Sequence, residues 1–363
     1  MSVDHENNLK EPFLLKEQNQ KKIDPNFSKN SSKIAKFFEK NYLYTGLIVG
    51  LCYGAYHFTL FLSVGQVLEL RMLYLIQIVN LIYYVLYHSY FAVESKQKYG
   101  SFWSQSRSSY FLENGNLNRF VLFALVSKSI IQYLSQYVLY YILVTSVRSG
   151  ISNSIIISIY GTSSILCAIA FYFVFNEKLG IRHIIGILAV TASIILIANG
   201  RYEIAGNALS KNAGVSEENK LTALIPISLA IINCCFFVVT ALITRVIKVS
   251  KLSIFQYAAD SQFLVSITFS LQALISHLFF ESYTFYEFYL VFISSLFMVI
   301  AQIFFAGSAA YGQGGLVQAM LNIQSPFQML LEMIFLKLYP AFMGVLGMIV
   351  CLFGALFIIL TKK

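Results

Sequence analysis

QYVLYYILVTSVRSGISNSIIISIYGTSSILCAIAFYFVFNEKLGIRHIIGILAVTASIILI, from Gln136 to Ile197, has a degenerate second copy in QIFFAGSAAYGQGGLVQAMLNIQSPFQMLLEMIFLKLYPAFMGVLGMIVCLFGALFII, from Gln302 to Ile359. The units extend over residues 136–199 and 302–360, and each reads as three helices, the last apolar and punctuated by glycine. Neither copy has enough charge to dress a water-facing surface. A helix needs about 20 apolar residues to cross a bilayer. Such stretches lie near 42–64, 72–92, 119–145, 149–175 and 181–199, then near 222–244, 252–280, 285–307, 314–336 and 339–361. The expected fold is all-α and integral to the membrane, with ten transmembrane helices in two five-helix repeats. An odd number of spans per repeat forces the copies into opposite orientations, so the repeats are inverted.

Composition agrees. Of the 363 residues 57% are apolar and only 12% charged, with a mean hydropathy of +0.67, whereas a soluble domain has roughly 25% charged residues. The net charge of +9 does not indicate a nucleic-acid partner, because eight lysines sit in the first 41 residues among six acids and the other basic residues are scattered between apolar runs. Cys52, Cys167, Cys234, Cys235 and Cys351 fall inside apolar segments with no CxxC pair and no histidine at metal-ligand spacing, and read as buried hydrophobes. No cofactor and no metal follow from the sequence.

Residues 1–41 are polar and rich in Lys, Asn, Gln and Ser, as expected of a disordered cytoplasmic tail. The first repeat then occupies 42–199, a polar loop 200–221 and the second repeat 222–361. No cleavable signal peptide stands at the start. Within the tail, Glu11-Pro-Phe-Leu14-Leu15 is similar to an acidic dileucine sorting signal. With the tail inside, the cytoplasmic segments hold 19 basic residues against six outside, and cytoplasmic loops carry such an excess. Both termini are therefore expected in the cytosol, where the Asn-x-Ser sequons at Asn26 and Asn30 stay unmodified. The membrane is an endomembrane (Golgi, endoplasmic reticulum or vacuole) or the plasma membrane.

The segment from Leu139 to Ala198 resembles the second half of an EamA repeat of the drug/metabolite transporter superfamily. The features that carry this are a Tyr/Phe-rich third helix, the small polar start of the fourth at Ser149-Gly-Ile-Ser-Asn-Ser, and Phe175-Asn-Glu177-Lys178-Leu179 before a short helix with Gly186. Asn176 stands where the family commonly has glycine. In the second copy Asn322-Ile-Gln-Ser-Pro326 resembles the family's Ser-Pro step, while the Glu-Lys pair has become Leu336-Lys337-Leu338. Nucleotide-sugar carriers belong to the same superfamily, and Tyr160-Gly-Thr-Ser-Ser-Ile is a shadow of their fourth-helix pattern. The resemblance implies an inverted-repeat carrier with a central cavity for small organic solutes.

Ionisable groups at membrane depth are costly and usually face an interior. Lys128 comes nine residues after Arg119, about 13 Å along a helix, and forms one helical stripe with Gln132, Ser135 and Gln136. It is read either as an anchor for an anionic substrate or as a side chain snorkelling to the interface. Asp260 is read as a counter-charge to Lys128, a proton carrier or an interfacial residue. On the ninth helix Gln318, Asn322, Ser325 and Glu332 share a face around Pro326. Asn153 takes the place of Gln318 in the first copy, and Gln136 corresponds to Gln302. Each amide is a candidate substrate ligand or interhelical glue, and Tyr137, Tyr140, Tyr141 and Tyr160 lie near the polar stripe. Rows such as Gly186/Ala189/Ser193 and Gly344/Gly347/Gly354 read as packing surfaces. The expected function is secondary-active transport of a small, anionic or nucleotide-linked metabolite. The alternatives are a channel, receptor or scaffold, or a membrane-embedded enzyme using His57, His88 or His277, although no catalytic motif accompanies these histidines. The implied partners are the substrate and the lipid bilayer, and a homodimer is left open.

Overall fold

In the computed structural model residues 25–67, 69–105, 108–112, 114–148, 159–209, 217–250, 252–337, 339 and 341–360 are described. In chain order the helices are α1 (Pro25–Val67), α2 (Leu70–Leu75), α3 (Ile78–Tyr99), α4 (Arg119–Arg148), α5 (Ser163–Phe175, entered through a 3-10 turn at Tyr160–Thr162), α6 (Ile181–Leu209) and α7 (Glu217–Val246), followed by α8 (Ile254–Asp260), α9 (Phe263–Phe279), α10 (Phe285–Tyr311), α11 (Gly314–Leu321), α12 (Gln324–Leu336) and α13 (Phe342–Leu360). Among the described residues there is no β-sheet. Among the described residues seven helical segments are long and apolar enough to cross a membrane, and Tyr160–Phe175 and Ile181–Ser193 are shorter apolar helices. The chain is an all-α, multi-pass membrane protein. Phe123, Phe173, Leu278, Phe353 and many other large apolar side chains are exposed on its flank, which in water would be an aggregation surface and in a bilayer is the lipid contact.

Two ends of the bundle can be told apart. At one, here the near end, α3 gives way to α4, α5 to α6, α7 to α8 and α10 to α11. The far end holds the turns from α1 to α2 and from α9 to α10. The turn into α10 is fixed by a capping box in which Thr284 accepts from the Glu287 N–H and the Glu287 carboxylate accepts from the Thr284 N–H.

Close helix contact is made by glycine. On α1, Gly46, Gly50 and Gly54 recur every fourth residue and so share one face. That face lies on α11 and α12: a Cβ on Gly50 would stand 2.8 Å from the Met320 carbonyl oxygen, and one on Gly54 2.8 Å from that of Gln324. The glycine rows expected in the last helix of each repeat meet each other, with Gly186 of α6 under Ile358 and Gly354 of α13 against Val190 and Ala189.

Two boundaries differ from expectation. The stretch 1–41, expected as a tail, contains the start of α1 at Pro25. Ile34 and Phe38, one turn apart, give that part an apolar face, and Phe38 is buried beside Phe304 over Gly307. The helix kinks at Asn41 (φ −114°, ψ 15°). Tyr56 meets Ser294, Thr45 meets Ser308 and Tyr42 meets Gly312, so beyond the kink α1 ascends α10 in the antiparallel sense, but Phe38 returns to Gly307. The first turns of α1 therefore turn out of the line of the rest of the helix and lie against the near end of α10. Within 200–221, expected as a polar loop, α6 continues to Leu209 and α7 begins at Glu217; no proline stands between 200 and 221. The sorting-like motif at 11–15 and the candidate Asn153 lie outside the described residues.

Gly50→Leu should strongly destabilise the fold, because its neighbours are backbone atoms that cannot rotate away. Overpacking of this kind costs about 1–3 kcal/mol or more. A thermal melt of the detergent-solubilised protein should show a clear drop, and an unchanged melt would exclude the α1–α11 contact.

Candidate functional site

α4 begins at Arg119, so Lys128 sits more than two turns inside the bundle. It is 3% exposed and does not snorkel. Its Nζ lies 4.2 Å from the ring centroid of Tyr257 on α8, a cation–π contact, and Tyr257 is tied to Thr244 of α7 by a 3.0 Å hydroxyl pair. Among the described residues no carboxylate lies within 4.0 Å of Lys128.

Deeper along the same helix, Ser135 donates to Asn233 of α7 at 2.6 Å, and Asn233 donates to the Tyr160 hydroxyl at 3.0 Å. Gln136 accepts from Tyr56 of α1 at 3.2 Å and points its NH2 at the Met298 sulfur of α10. Gln77, at the break between α2 and α3, approaches the same sulfur and accepts from Asn80 at 2.7 Å. His57 lies between Tyr56 and Tyr160 with ring centroids 4.8 and 6.2 Å away. Gln132 is half-buried, while Tyr141 is exposed on the flank and faces away from this interior. Tyr137 belongs to a separate patch with Tyr133, Phe269 and Gln272, and Tyr140 is buried in the apolar core nearby.

The second half contributes a group of amides. Gln318 donates to Ser163 at 2.8 Å and Asn322 to the Gly161 carbonyl at 3.2 Å. Gln328 donates to Glu332 at 2.9 Å. Several buried atoms have no hydrogen-bond partner among the described residues: both polar atoms of Gln302, Asn322 Oδ1, Ser325 Oγ and Gln328 Oε1. Other such atoms lie on His183, Ser261, Gln262, Ser270 and Gln313; buried polar atoms are nearly always satisfied, and those of Gln302, Asn322, Ser325 and Gln328 are open to a further partner. Gln302 lies one turn from Met298 toward the near end, the same direction in which Lys128 lies from Gln136.

Asp260 is not the counter-charge of Lys128. It accepts from the Tyr110 hydroxyl and pairs with His88 Nε2 at 2.6 Å. Burial, and after it the neighbouring Asp260 carboxylate, raises the Tyr110 phenol above its ordinary range, which keeps it a donor. Tyr83 to the Phe255 carbonyl, Tyr87 to Ser253 and Ser109 to Gln256 extend this clasp. Asp260 thus straps the α3–α4 connection to α8, outside the Lys128 interior.

Each end of the bundle has an ionic lock. At the near end Arg245 donates to Glu177 Oε1 at 2.6 Å and to the Ala310 and Gly312 carbonyls, while the other Glu177 oxygen accepts from the Gly314 N–H at 3.1 Å and caps α11. At the far end Arg71 binds Glu69, Glu281 and Glu287, and its ring of contacts is closed by Tyr283, which donates to the Arg71 carbonyl at 2.9 Å. Sequence reading singled out Glu177 only as part of a motif and did not mark Arg245, Tyr56, Asn233, Tyr257 or Gln328. Gln328, four residues from both Gln324 and Glu332, was the one with a helical-spacing signal.

Arg245→Ala should destabilise the protein by about 3 kcal/mol, since it strands a half-buried carboxylate. Glu177→Gln should cost less, because its amide oxygen can still accept from Gly314. Equal losses in chemical denaturation would mean that the charge of Glu177 matters more than its cap.

No family model matches this chain, and no curated protein matches it. Among solved structures 27 chains match it. One, a crystal structure of a protein, is 12% identical and superposes with a TM-score of 0.54 over 87% of this chain and 96% of the other. At that identity the likeness is one of fold, and it extends over nearly the whole length of both chains.

Proposed function

We propose that this chain is a secondary transporter in which two inverted five-helix halves rock around the Lys128 interior and pass a small organic anion across the membrane. The observation that carries the reading is a buried ammonium that, among the described residues, has no carboxylate within 4.0 Å. An isolated buried charge is expensive, and an anionic guest that lends it a partner offsets that cost. The amides and the Tyr56, Tyr160 and Tyr257 rings supply orientation and aromatic contact for the rest of the solute.

Local features support inversion of the halves. α5 and α12 each end on a non-glycine residue in the left-handed conformation, Asn176 (φ 55°) and Lys337 (φ 56°), and the same number of residues separates Ser163 from Gln324 as Asn176 from Lys337. α5 crosses α11 in the antiparallel sense, since Gly161 meets Asn322 and Ala168 meets Gly315. Ser129 donates to the Ser261 carbonyl at 2.7 Å, where α8 breaks from α9, and Ser295 donates to the Ile76 carbonyl, where α2 breaks from α3. Ser129 and Ser295 stand as far apart in sequence as Gln136 and Gln302. The likeness to drug/metabolite carriers of the EamA kind fits this plan, and the excess of basic residues puts the near end and both termini in the cytosol. The two ionic locks sit where alternating access needs closures, one at each mouth.

Thermal stabilisation by a metabolite panel would find the ligand, because a molecule that binds the folded state raises its melting temperature. Proteoliposomes loaded with that ligand should show counter-exchange of the labelled compound. Lys128→Ala should weaken binding roughly 30-fold or more, since losing one partner of a buried charge pair costs about 2–5 kcal/mol. Uptake without counter-exchange would make the chain a channel, and unchanged affinity in Lys128→Ala would remove the anchor.

A further inference from the structure

On the flank of the near end lies a crevice of about 530 Å³, lined by Ile34, Phe37 and Phe38 of the first turns of α1, Phe255 of α8, and Ile300, Ile303 and Phe304 of α10. Every one of these side chains is apolar. The one further residue in the lining is Lys33, which is exposed, as is Lys36 one turn away from it along the same segment. Ile300 is near the middle of α10 and Phe255 is the second residue of α8, so the crevice runs from the near-end surface into the hydrocarbon depth of the bilayer. The kink at Asn41 creates it: had α1 continued straight past Tyr42 and Gly312, Ile34 and Phe37 would stand clear of α10. Phe37 and Phe255, 51% and 37% exposed, leave its side open to the lipid.

We infer that this crevice holds one anionic phospholipid from the leaflet at the near end, with an acyl chain between α1, α8 and α10 and the phosphoryl headgroup on Lys33. The shape is a slot open toward hydrocarbon, which suits a chain rather than a globular ligand. The charge at its mouth is basic, and basic residues next to a membrane helix attract anionic headgroups, each contributing roughly fivefold in affinity. A zwitterionic lipid would satisfy the apolar walls, but its own choline ammonium already balances its phosphate, so it brings no net negative charge to the lysine. The inference does not depend on what the Lys128 interior binds.

Native mass spectrometry of the full chain, with dioleoyl phosphatidylserine or dioleoyl phosphatidylcholine added, reads the site directly. One phosphatidylserine should be retained at an activation energy that strips phosphatidylcholine. Lys33→Ala should weaken that retention about fivefold and change phosphatidylcholine retention much less. Ile303→Trp, which fills the slot without changing charge, should abolish the tight adduct. A thermal melt alongside confirms that each variant is folded, and if Ile303→Trp does not fold, Ile300→Phe takes its place. Equal retention of the two lipids, or phosphatidylserine retention that survives filling of the slot, would overturn the proposal. So would a tight adduct that appears only after residues 1–24 are removed, because the chain itself would then be the occupant.

Discussion

In hydrocarbon a backbone carbonyl has no water to turn to, so every interruption of a helix has to be answered by another part of the protein. This chain interrupts its helices at depth several times and answers each from a neighbouring helix. The Ser261 carbonyl takes the hydroxyl of Ser129, the Ile76 carbonyl that of Ser295, and the Gly161 carbonyl the amide of Asn322. Those three bonds join α4 to the α8–α9 break, α10 to the α2–α3 break, and α11 to the turn that precedes α5. The breaks therefore do more than bend the helices. They draw polar side chains into an apolar bundle and fix where the polar interior lies, and Lys128 is the residue immediately before the serine that closes one of them.

The same constraint explains how ordinary amides serve two purposes. Gln318 and Asn322 each spend one group on a helix junction, and Asn322 keeps its carbonyl oxygen unpartnered. Interhelical amide bonds in membranes are worth only about 0.6–2 kcal/mol, too little to account for burying so many polar atoms by stability alone. Packing supplies the rest, through glycines that let α1 rest on α11 and α12 and let α6 rest on α13. In the proposed transporter, the polar atoms left over would be the ones offered to a solute without loosening the scaffold.

Much of the plan was legible in the sequence because a bilayer imposes length and hydropathy on every crossing. The all-α membrane class, the breaks near Pro326 and the packing role of the glycine rows follow from local composition and spacing. The stripe of Lys128, Ser135 and Gln136 was legible too, since residues one helical turn apart share a face. Gln302 was found by its place in the repeat, and like His183 it has both polar atoms unpartnered among the described residues. The first turns of α1 were missed because charge and polarity there resemble those of a tail, and the apolar pair Ile34 and Phe38 is short.

Sequence alone determined that the chain lives in lipid and which helices carry polar residues, because those depend on neighbours along the chain. Tertiary structure decided which charges meet. Lys128 and Asp260 lie at similar depth by counting residues, yet Asp260 turns to His88 and Tyr110 while Lys128 stands over Tyr257. Which neighbour each side chain meets is set by the packing of the surrounding helices rather than by the spacing of residues within one. The Arg245–Glu177 lock and the packing of the start of α1 on α10 have the same origin, since both join segments far apart in sequence whose meeting no local pattern records.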